Sequence, residues 1–137
     1  MTLDLFINFN GNCKEAVDFY AKVFKSEVKN LMLYKDMPAD TGYPVNPADK
    51  DKIMYADVLI GDKRVMFMDY PSNEKLIVGN NIVPALNVAS KDEVDRLFAE
   101  LSEGGAVEAA PGQTFFSEYY AMVTDKFGIS WHIMVNE

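Results

Sequence analysis

The chain has 137 residues, of which 49% are hydrophobic and 25% are charged, as in a globular domain with a buried core. It carries 13 lysine and arginine residues against 21 acidic ones, a formal net charge of −8. This charge argues against nucleic acid and anionic membrane surfaces as partners, because both are themselves negative. No apolar run approaches the roughly 20 residues that a membrane-spanning helix needs.

The cysteine content and the N-terminus indicate a cellular location. Cys13 is the only cysteine, so the chain forms no internal disulfide, which suits a reducing cytoplasm. The first residues have no basic segment before an apolar one, and we therefore expect no signal peptide. The sequence predicts a cytoplasmic protein. Cys13 also falls in the first turn of a predicted helix, where the dipole lowers a thiol pKa, but no basic partner is evident and we expect a small packed side chain.

The first half of the chain predicts one strand, one helix and three more strands. Asn12 and Glu15 are spaced as a capping box, and the apolar residues after them recur with helical periodicity. Gly61-Asp62 predicts a tight turn between the last two strands. Before this hairpin lies a loop rich in proline, aspartate and glycine, residues 35–52, and loops of such length are often functional. The predicted strands are residues 3–9, 28–34, 53–60 and 64–69.

The second half repeats this order of elements. Ser90 and Glu93 form another capping box, and Gly104-Gly105 ends the second helix. A final hairpin is predicted around residues 125–128. The predicted strands are residues 82–88, 106–109, 119–124 and 130–135.

The two halves align with each other. In this alignment Tyr55 corresponds to Tyr120 and Phe67 corresponds to His132. Element order, helix caps and hairpins agree in both halves, which favours an internal duplication over chance similarity. The sequence therefore predicts one domain, residues 1–137, containing two βαβββ modules at about 1–70 and 82–137.

Several motifs resemble those of the PhnB-like proteins, which belong to the glyoxalase/bleomycin-resistance (vicinal oxygen chelate) superfamily. The first is Phe9-Asn10-Gly11-Asn12-Cys13 with Glu15 and Ala16, and the others are segments 52–62, 93–98, 101–105 and 120–131. The resemblance implies an α+β fold in which the two modules form a cupped mixed sheet with helices on the outside. It also implies a homodimer. Some relatives carry a ubiquinone-methyltransferase label, but this chain has no glycine-rich loop after a strand to hold S-adenosylmethionine.

Strand alternation predicts which side chains line the cup. The even-numbered residues of strand 53–60 are apolar and suit packing on a helix, so the odd-numbered ones face the cup. The same alternation adds Leu5, Ile7, Phe9, Val65, Asp69, Val83, Ala85, Asn87, Met122, Ser130 and Met134. The predicted ligand-binding residues are Tyr55, Asp57, Phe67, Glu118, Tyr120 and His132. Such a lining is apolar and aromatic with a few polar groups, as in small-molecule pockets; the alternative is that these side chains only fill a core.

Many relatives hold a divalent ion in the cup, and the resemblance indicates which four positions of this chain would supply its ligands. Those positions correspond to Leu5, Phe67, Val83 and His132, and only the histidine can bind a metal. A first-row ion needs three or four N, O or S donors. We therefore predict no metal and no other cofactor.

His132 is the only histidine, and imidazole is the side chain best suited to proton transfer near neutral pH. It is a weak catalytic candidate, and a structural histidine is the alternative. We expect Tyr55 or Glu118 to be its hydrogen-bond partner.

Three functions remain open. The favoured one is metal-free binding of a small organic molecule in the cup, beneath the loop 35–52, with catalysis undecided. The alternatives are a metal-dependent lyase, isomerase or dioxygenase, and a drug-sequestering protein of the bleomycin-resistance type.

Overall fold

The structure is a computed structural model that describes residues 1–38, 42 and 44–135. The chain forms two compact units, Met1–Ile77 and Val78–Glu137. In the described residues, no helix has the length and apolar character needed to cross a membrane.

Unit 1 is a four-stranded mixed sheet with one helix packed on it. Its elements are β1 (Leu5–Phe9), α1 (Cys13–Val23), β2 (Val28–Leu33), β3 (Ile53–Ile60) and β4 (Lys63–Asp69). The strand order is β1-β4-β3-β2, in which β1 and β4 are parallel and the other pairs are antiparallel. The helix packs against β2, β3 and β4, because its apolar residues recur on one face and are buried there.

Unit 2 has the same architecture. Its elements are β5 (Ala85–Val88), α2 (Lys91–Ser102), β6 (Ala106–Gly112), β7 (Tyr120–Thr124) and β8 (Ser130–Val135). The strand order is β5-β8-β7-β6, with β5 and β8 parallel. Trp131, Ile133 and Val123 are buried beneath α2 together with Val94 and Leu101 of that helix. The predicted order strand-helix-strand-strand-strand is thus confirmed in each unit, and the fold is α+β.

In unit 1, the side chains of β1 and β4 lie on the opposite sheet faces from those predicted. The Phe67 ring stacks on Tyr20 of α1 at a centroid distance of 5.7 Å, and Phe67 is 0% exposed. Strand pairing places Ala56 and Ile7 beside Phe67 on this helix-covered face. The prediction that Phe67 lies on the same face as Tyr55 is therefore wrong. The helix-covered face also carries the other odd-numbered residues of β1 and β4, which were predicted to line the cup. They are Leu5, Ile7, Phe9, Val65 and Asp69.

We call the sheet face that the helix does not cover the helix-distal face. In unit 1 it carries Phe6, Met66 and Asp57, the last two directly opposite each other on neighbouring strands. In unit 2 it carries Met122 opposite His132 and Tyr120 opposite Met134. The predicted orientation of these unit 2 residues is confirmed, because their neighbours Ala121, Val123, Trp131 and Ile133 are fully buried on the other face.

The two helices begin in different ways. Ser90 accepts a hydrogen bond from the Glu93 backbone N–H at 3.2 Å, which confirms the local cap of α2. Asn12 makes no such bond, so the capping box predicted for α1 is wrong. The acceptor is instead Asp69 at the end of β4, whose Oδ1 receives the N–H groups of Gly11 and Cys13.

The loop at residues 35–52 is tied together at its base. The N–H groups of Tyr34 and Lys35 donate to the carbonyls of Lys52 and Lys50, so the two ends of the loop pair with each other. Two 3₁₀ turns, Tyr34–Asp36 and Pro47–Asp49, lie within the described part. Positions 39–41 and 43 lie outside the described residues. The expectation that this loop covers a ligand stays a prediction.

Candidate functional site

Tyr120 and His132 form a hydrogen-bonded pair on the helix-distal face of unit 2. The Tyr120 hydroxyl lies 2.5 Å from His132 Nδ1, and the two rings lie 5.5 Å apart. Burial raises the pKa of Tyr120 above its ordinary value, so its hydroxyl keeps its proton at neutral pH. In the tautomer in which this O–H donates to Nδ1, the imidazole carries its own proton on Nε2, and Nε2–H is then the donor left for another molecule.

Aromatic side chains extend from this pair. The ring of Phe116 meets Tyr120 edge to face at 5.0 Å, and Phe115 meets Phe116 in the same way at 5.2 Å. Phe115 is 100% exposed and Phe116 is half exposed. Together with Met122 and Met134, these rings give the pair an apolar surround. Such a surround with one oriented polar group is typical of small-molecule sites.

Glu118 is not the partner of His132. Its carboxylate pairs with Lys91 at the start of α2 at 3.0 Å, and the Glu118 side chain is 62% exposed. The residue precedes β7, which begins at Tyr120, so strand alternation does not fix its direction. The partner of His132 is Tyr120, so the prediction of Tyr55 or Glu118 as the partner is wrong, whereas the prediction that Tyr120 shares the face of His132 is confirmed.

Unit 1 uses the equivalent tyrosine differently. The Tyr55 hydroxyl donates to Asp57 Oδ2 at 3.0 Å, and the Asn30 side-chain amide donates to the same oxygen at 2.8 Å. Burial, followed by this hydrogen bond to a carboxylate, raises the pKa of Tyr55. Asp57 is buried and already accepts two hydrogen bonds, which is a structural role. Whether Tyr55 and Asp57 also bind a ligand stays a prediction.

The structure identifies Met66, not Phe67, as the counterpart of His132. Met66 lies opposite Asp57 on the helix-distal face, as His132 lies opposite Met122. The alignment of the two halves of the chain failed here because their hairpin loops differ in length. Two residues separate the paired Ile60 and Lys63 in unit 1, whereas five separate the paired Thr124 and Ser130 in unit 2. A difference of an odd number of residues exchanges the two faces of the following strand.

Unit 1 also contains a cavity of about 420 Å³ that the sequence analysis did not identify. It lies between the loop that follows β2 and the segment that follows β4. Tyr34 and Tyr70 contribute aromatic rings to it, Met54 and Met68 contribute thioethers, and Glu74 contributes a carboxylate. The signal that could have indicated it is the clustering of methionine and tyrosine at both ends of the predicted hairpin.

The residues present do not fit a metal ion. Within residues 1–38, 42 and 44–135, no group of three or more His, Cys, Asp or Glu side chains is arranged to hold one. Of the four positions at which the resemblance implies metal ligands, Leu5 and Phe67 lie on the helix-covered face, and Val83 has a hydrocarbon side chain that cannot bind a metal. Since His132 Nδ1 is bonded to Tyr120, only Nε2 remains as a metal donor. One donor does not meet the need of a first-row ion.

Cys13 is not a reactive thiol. It is completely buried, and burial raises its pKa far above the ordinary value, with the nearby Asp69 charge acting in the same direction. Burial therefore outweighs the helix dipole, which agrees with the expected small packed side chain.

Comparison with known proteins places the chain in a family. A family model described as 3-demethylubiquinone-9 3-methyltransferase matches residues 2–134. The Protein YjdN of Escherichia coli (strain K12) is 30% identical over 142 residues, which cover 98% of this chain and 95% of that protein.

Solved structures agree with this match. Protein PA1353 from Pseudomonas aeruginosa superposes with a TM-score of 0.85 at 31% identity, covering 99% of this chain and 98% of that one. A putative 3-demethylubiquinone-9 3-methyltransferase, the PhnB protein from Bacillus cereus, gives a TM-score of 0.80 at 23% identity, with coverage of 99% and 100%.

A more distant structure shows the wider fold. A glyoxalase/bleomycin resistance protein/dioxygenase family enzyme from Burkholderia phytofirmans has a TM-score of 0.64 at 17% identity, with coverage of 97% and 98%. At this identity the likeness shows the fold alone. The chain belongs to the PhnB-like family described by the 3-demethylubiquinone-9 3-methyltransferase model, and its fold is that of the glyoxalase/bleomycin-resistance proteins.

Proposed function

We propose that the protein binds a small organic molecule on the helix-distal face of unit 2, without a metal, with His132 as the polar anchor. The observation that carries this proposal is the hydrogen bond between Tyr120 and His132. It orients the imidazole and leaves Nε2–H free to donate to a carbonyl or carboxylate oxygen. The apolar surround of Phe116, Met122 and Met134 suits the hydrocarbon part of such a ligand.

The methyltransferase label of the family model is not part of this proposal. A methyl donor such as S-adenosylmethionine needs a loop that cradles its charged end, and no glycine-rich loop of that kind follows a strand here. Catalysis is likewise not proposed, because no second proton-transfer group is bonded to His132 besides Tyr120 among the described residues.

The test uses protein labelled with ¹³C in its methionine methyl groups and a panel of aromatic ketones and carboxylates. We expect binding compounds to shift the signals of Met122 and Met134. His132→Phe should weaken their binding about tenfold, since it removes the donor and keeps an aromatic ring of similar size. Glu118→Gln is the matched control and should bind as the wild type does, because that carboxylate pairs with Lys91. Equal loss in both variants, or shifts confined to unit 1 methionines, would contradict the proposal.

The absence of a bound metal is tested separately. We expect elemental analysis of the dialysed protein to find no stoichiometric transition metal. About one equivalent of zinc, nickel, manganese or iron, lost on His132→Ala, would show that a different set of ligands exists.

We also propose that the protein is a homodimer. Support comes from large apolar side chains that the chain leaves exposed, among them Phe115, Ile82 and Val107, because a second subunit packed over them would remove them from water. Light scattering at micromolar concentration should give twice the chain mass, and a monomeric mass would contradict this.

We place the protein in the cytoplasm. The support is a lone, completely buried Cys13, which agrees with a reducing compartment. Cell fractionation with marker proteins for each compartment tests this placement.

A further inference from the structure

The cavity in unit 1 is built from two segments that flank the β3–β4 hairpin. Tyr34 begins the loop after β2, and Tyr70 follows β4 directly. Met54 and Met68 contribute flexible thioether side chains between them. Its volume of about 420 Å³ falls in the range of sites for small molecules. All of these residues belong to unit 1, and neither Tyr120 nor His132 is among the residues that line the cavity.

Hydrogen bonds fix two of the residues that line this cavity. Tyr34 is buried, and its hydroxyl donates to the Asp69 carbonyl at 2.7 Å. Asp49 is also buried, and its Oδ2 accepts hydrogen bonds from the backbone N–H and the hydroxyl of Ser72. These contacts join Tyr34 and Asp49 to the end of β4 and the segment after it, so this part of the lining is in place before a ligand binds.

The charge around the cavity is negative. Asp49 and Glu74 both line it, and Lys52 pairs with Asp49 at 3.0 Å. For Glu74, no lysine or arginine among the residues described lies within ion-pair distance. Burial raises the pKa of Tyr34 to about 12, and the charges of Asp49, Asp69 and Glu74 add to this. Burial by itself opposes charge of either sign, so only the contribution of the three carboxylates favours a cation beside this ring.

The chemistry of the lining points to one class of ligand. Tyrosine rings attract a cation through their π faces, and a carboxylate supplies its counter-charge. Methionine side chains adapt to apolar groups of different shapes. We propose that this cavity is a binding site for a small organic cation, an ammonium group on an apolar body, with Glu74 as its counter-charge.

The test titrates methionine-methyl ¹³C-labelled protein with benzyltrimethylammonium, and in parallel with benzyl alcohol and benzoate. The Met54 and Met68 signals are assigned from the variants Met54→Leu and Met68→Leu. We expect the cation to shift both signals with saturation, and to shift them more than the signals of Met122 and Met134, which do not line the cavity. The neutral alcohol should bind at least about fivefold more weakly, because it lacks the charge that the rings and Glu74 attract.

The charge contribution is isolated by Glu74→Gln. Glu74 is exposed, so this variant should fold normally and bind the cation about fivefold more weakly, while its affinity for benzyl alcohol stays the same. Glu103→Gln, an exposed residue of unit 2, is the matched control and should bind as the wild type does.

Four outcomes would overturn the proposal. They are equal affinity for the cation and the alcohol, tighter binding of benzoate, full cation affinity in Glu74→Gln, and shifts of Met122 and Met134 in place of Met54 and Met68. No saturation by the cation up to about 10 mM, a very weak affinity, would also reject it.

Discussion

Tyr55 and Tyr120 occupy equivalent places in the two units, yet their hydroxyls serve different purposes. Tyr55 donates to Asp57 on its own strand, and the Asn30 side-chain amide donates to the same carboxylate oxygen. Tyr120 bonds to His132 on the neighbouring strand. The first arrangement directs both donors to one oxygen of the buried carboxylate, whereas the second engages Nδ1 of the imidazole and leaves Nε2 without a partner among the described residues. The duplicated architecture therefore places a tyrosine–histidine pair in one unit, which we propose as the ligand anchor, and a tyrosine–aspartate contact in the other.

The buried aspartates differ in the same way. Asp69 accepts backbone N–H groups from the start of α1 and from Ile53 of β3, so it joins three elements of unit 1. Asp125 accepts from Phe127 and Ile129 in its own turn and from the Trp131 indole. Both are 2–3% exposed. One carboxylate organises a whole unit, and the other organises a single hairpin and its core tryptophan.

The largest effect is expected for Asp69→Ala. Three backbone donors lose their acceptor, two of them at the start of a helix where no side chain replaces it. The free energy of unfolding should fall by about 4 kcal/mol, since each buried donor left unsatisfied costs roughly 1–3 kcal/mol and nearby water offsets part of this. Urea unfolding followed by circular dichroism measures it. A loss below that of Asp125→Ala would contradict the comparison.

Asp125→Ala should reduce the free energy of unfolding by about 2.5 kcal/mol, because its bonds are local and the hairpin can relax around them. The fluorescence of Trp131, the only tryptophan, should also change as its N–H loses its partner. Asp69→Ala provides the control, since we expect it to leave the native fluorescence spectrum of Trp131 unchanged. The same spectral change in both variants would show that the two aspartates are not independent.

Tyr34→Phe tests a contact present only in unit 1. Removing the hydrogen bond to the Asp69 carbonyl should cost about 1.5 kcal/mol at neutral pH. Because the folded state raises the pKa of Tyr34 to about 12, its contribution is complete below the ordinary value near 10 and is lost as pH rises toward 12. The wild type should therefore lose its advantage over Tyr34→Phe between about pH 10 and 12. A constant difference across this window, measured by urea unfolding, would contradict the assignment.

The smallest effects concern the helix caps. Ser90→Ala should cost about 1 kcal/mol, because its hydroxyl accepts the Glu93 N–H. Asn12→Ala should cost less than about 0.3 kcal/mol, because Asp69 already serves the start of α1. Paired thermal and urea unfolding of the two variants gives the comparison. Equal losses would mean that Asn12 caps its helix in solution.

Much of unit 2 was predictable because its signals are local. Ser90 and Glu93 define a helix start within four residues. The alternation around Trp131 and Ile133 also places Tyr120 and His132 correctly on the helix-distal face. In unit 1 the same reasoning identified the elements, and β3 has the predicted bounds. It assigned Phe67 to the wrong face because the face of β4 depends on the pairing register, which is set by the length of the hairpin loop.

The sequence by itself determined the order of elements, the duplication and the family, since periodicity, turn residues and motifs are local properties. Only the tertiary structure decided which acceptor caps α1, which residue bonds to His132, and where Glu118 points. Each of these depends on groups from strands or helices far apart in the sequence, such as Asp69 and Gly11. The cavity of unit 1 belongs with them, because its lining comes from loops that only the folded sheet brings together.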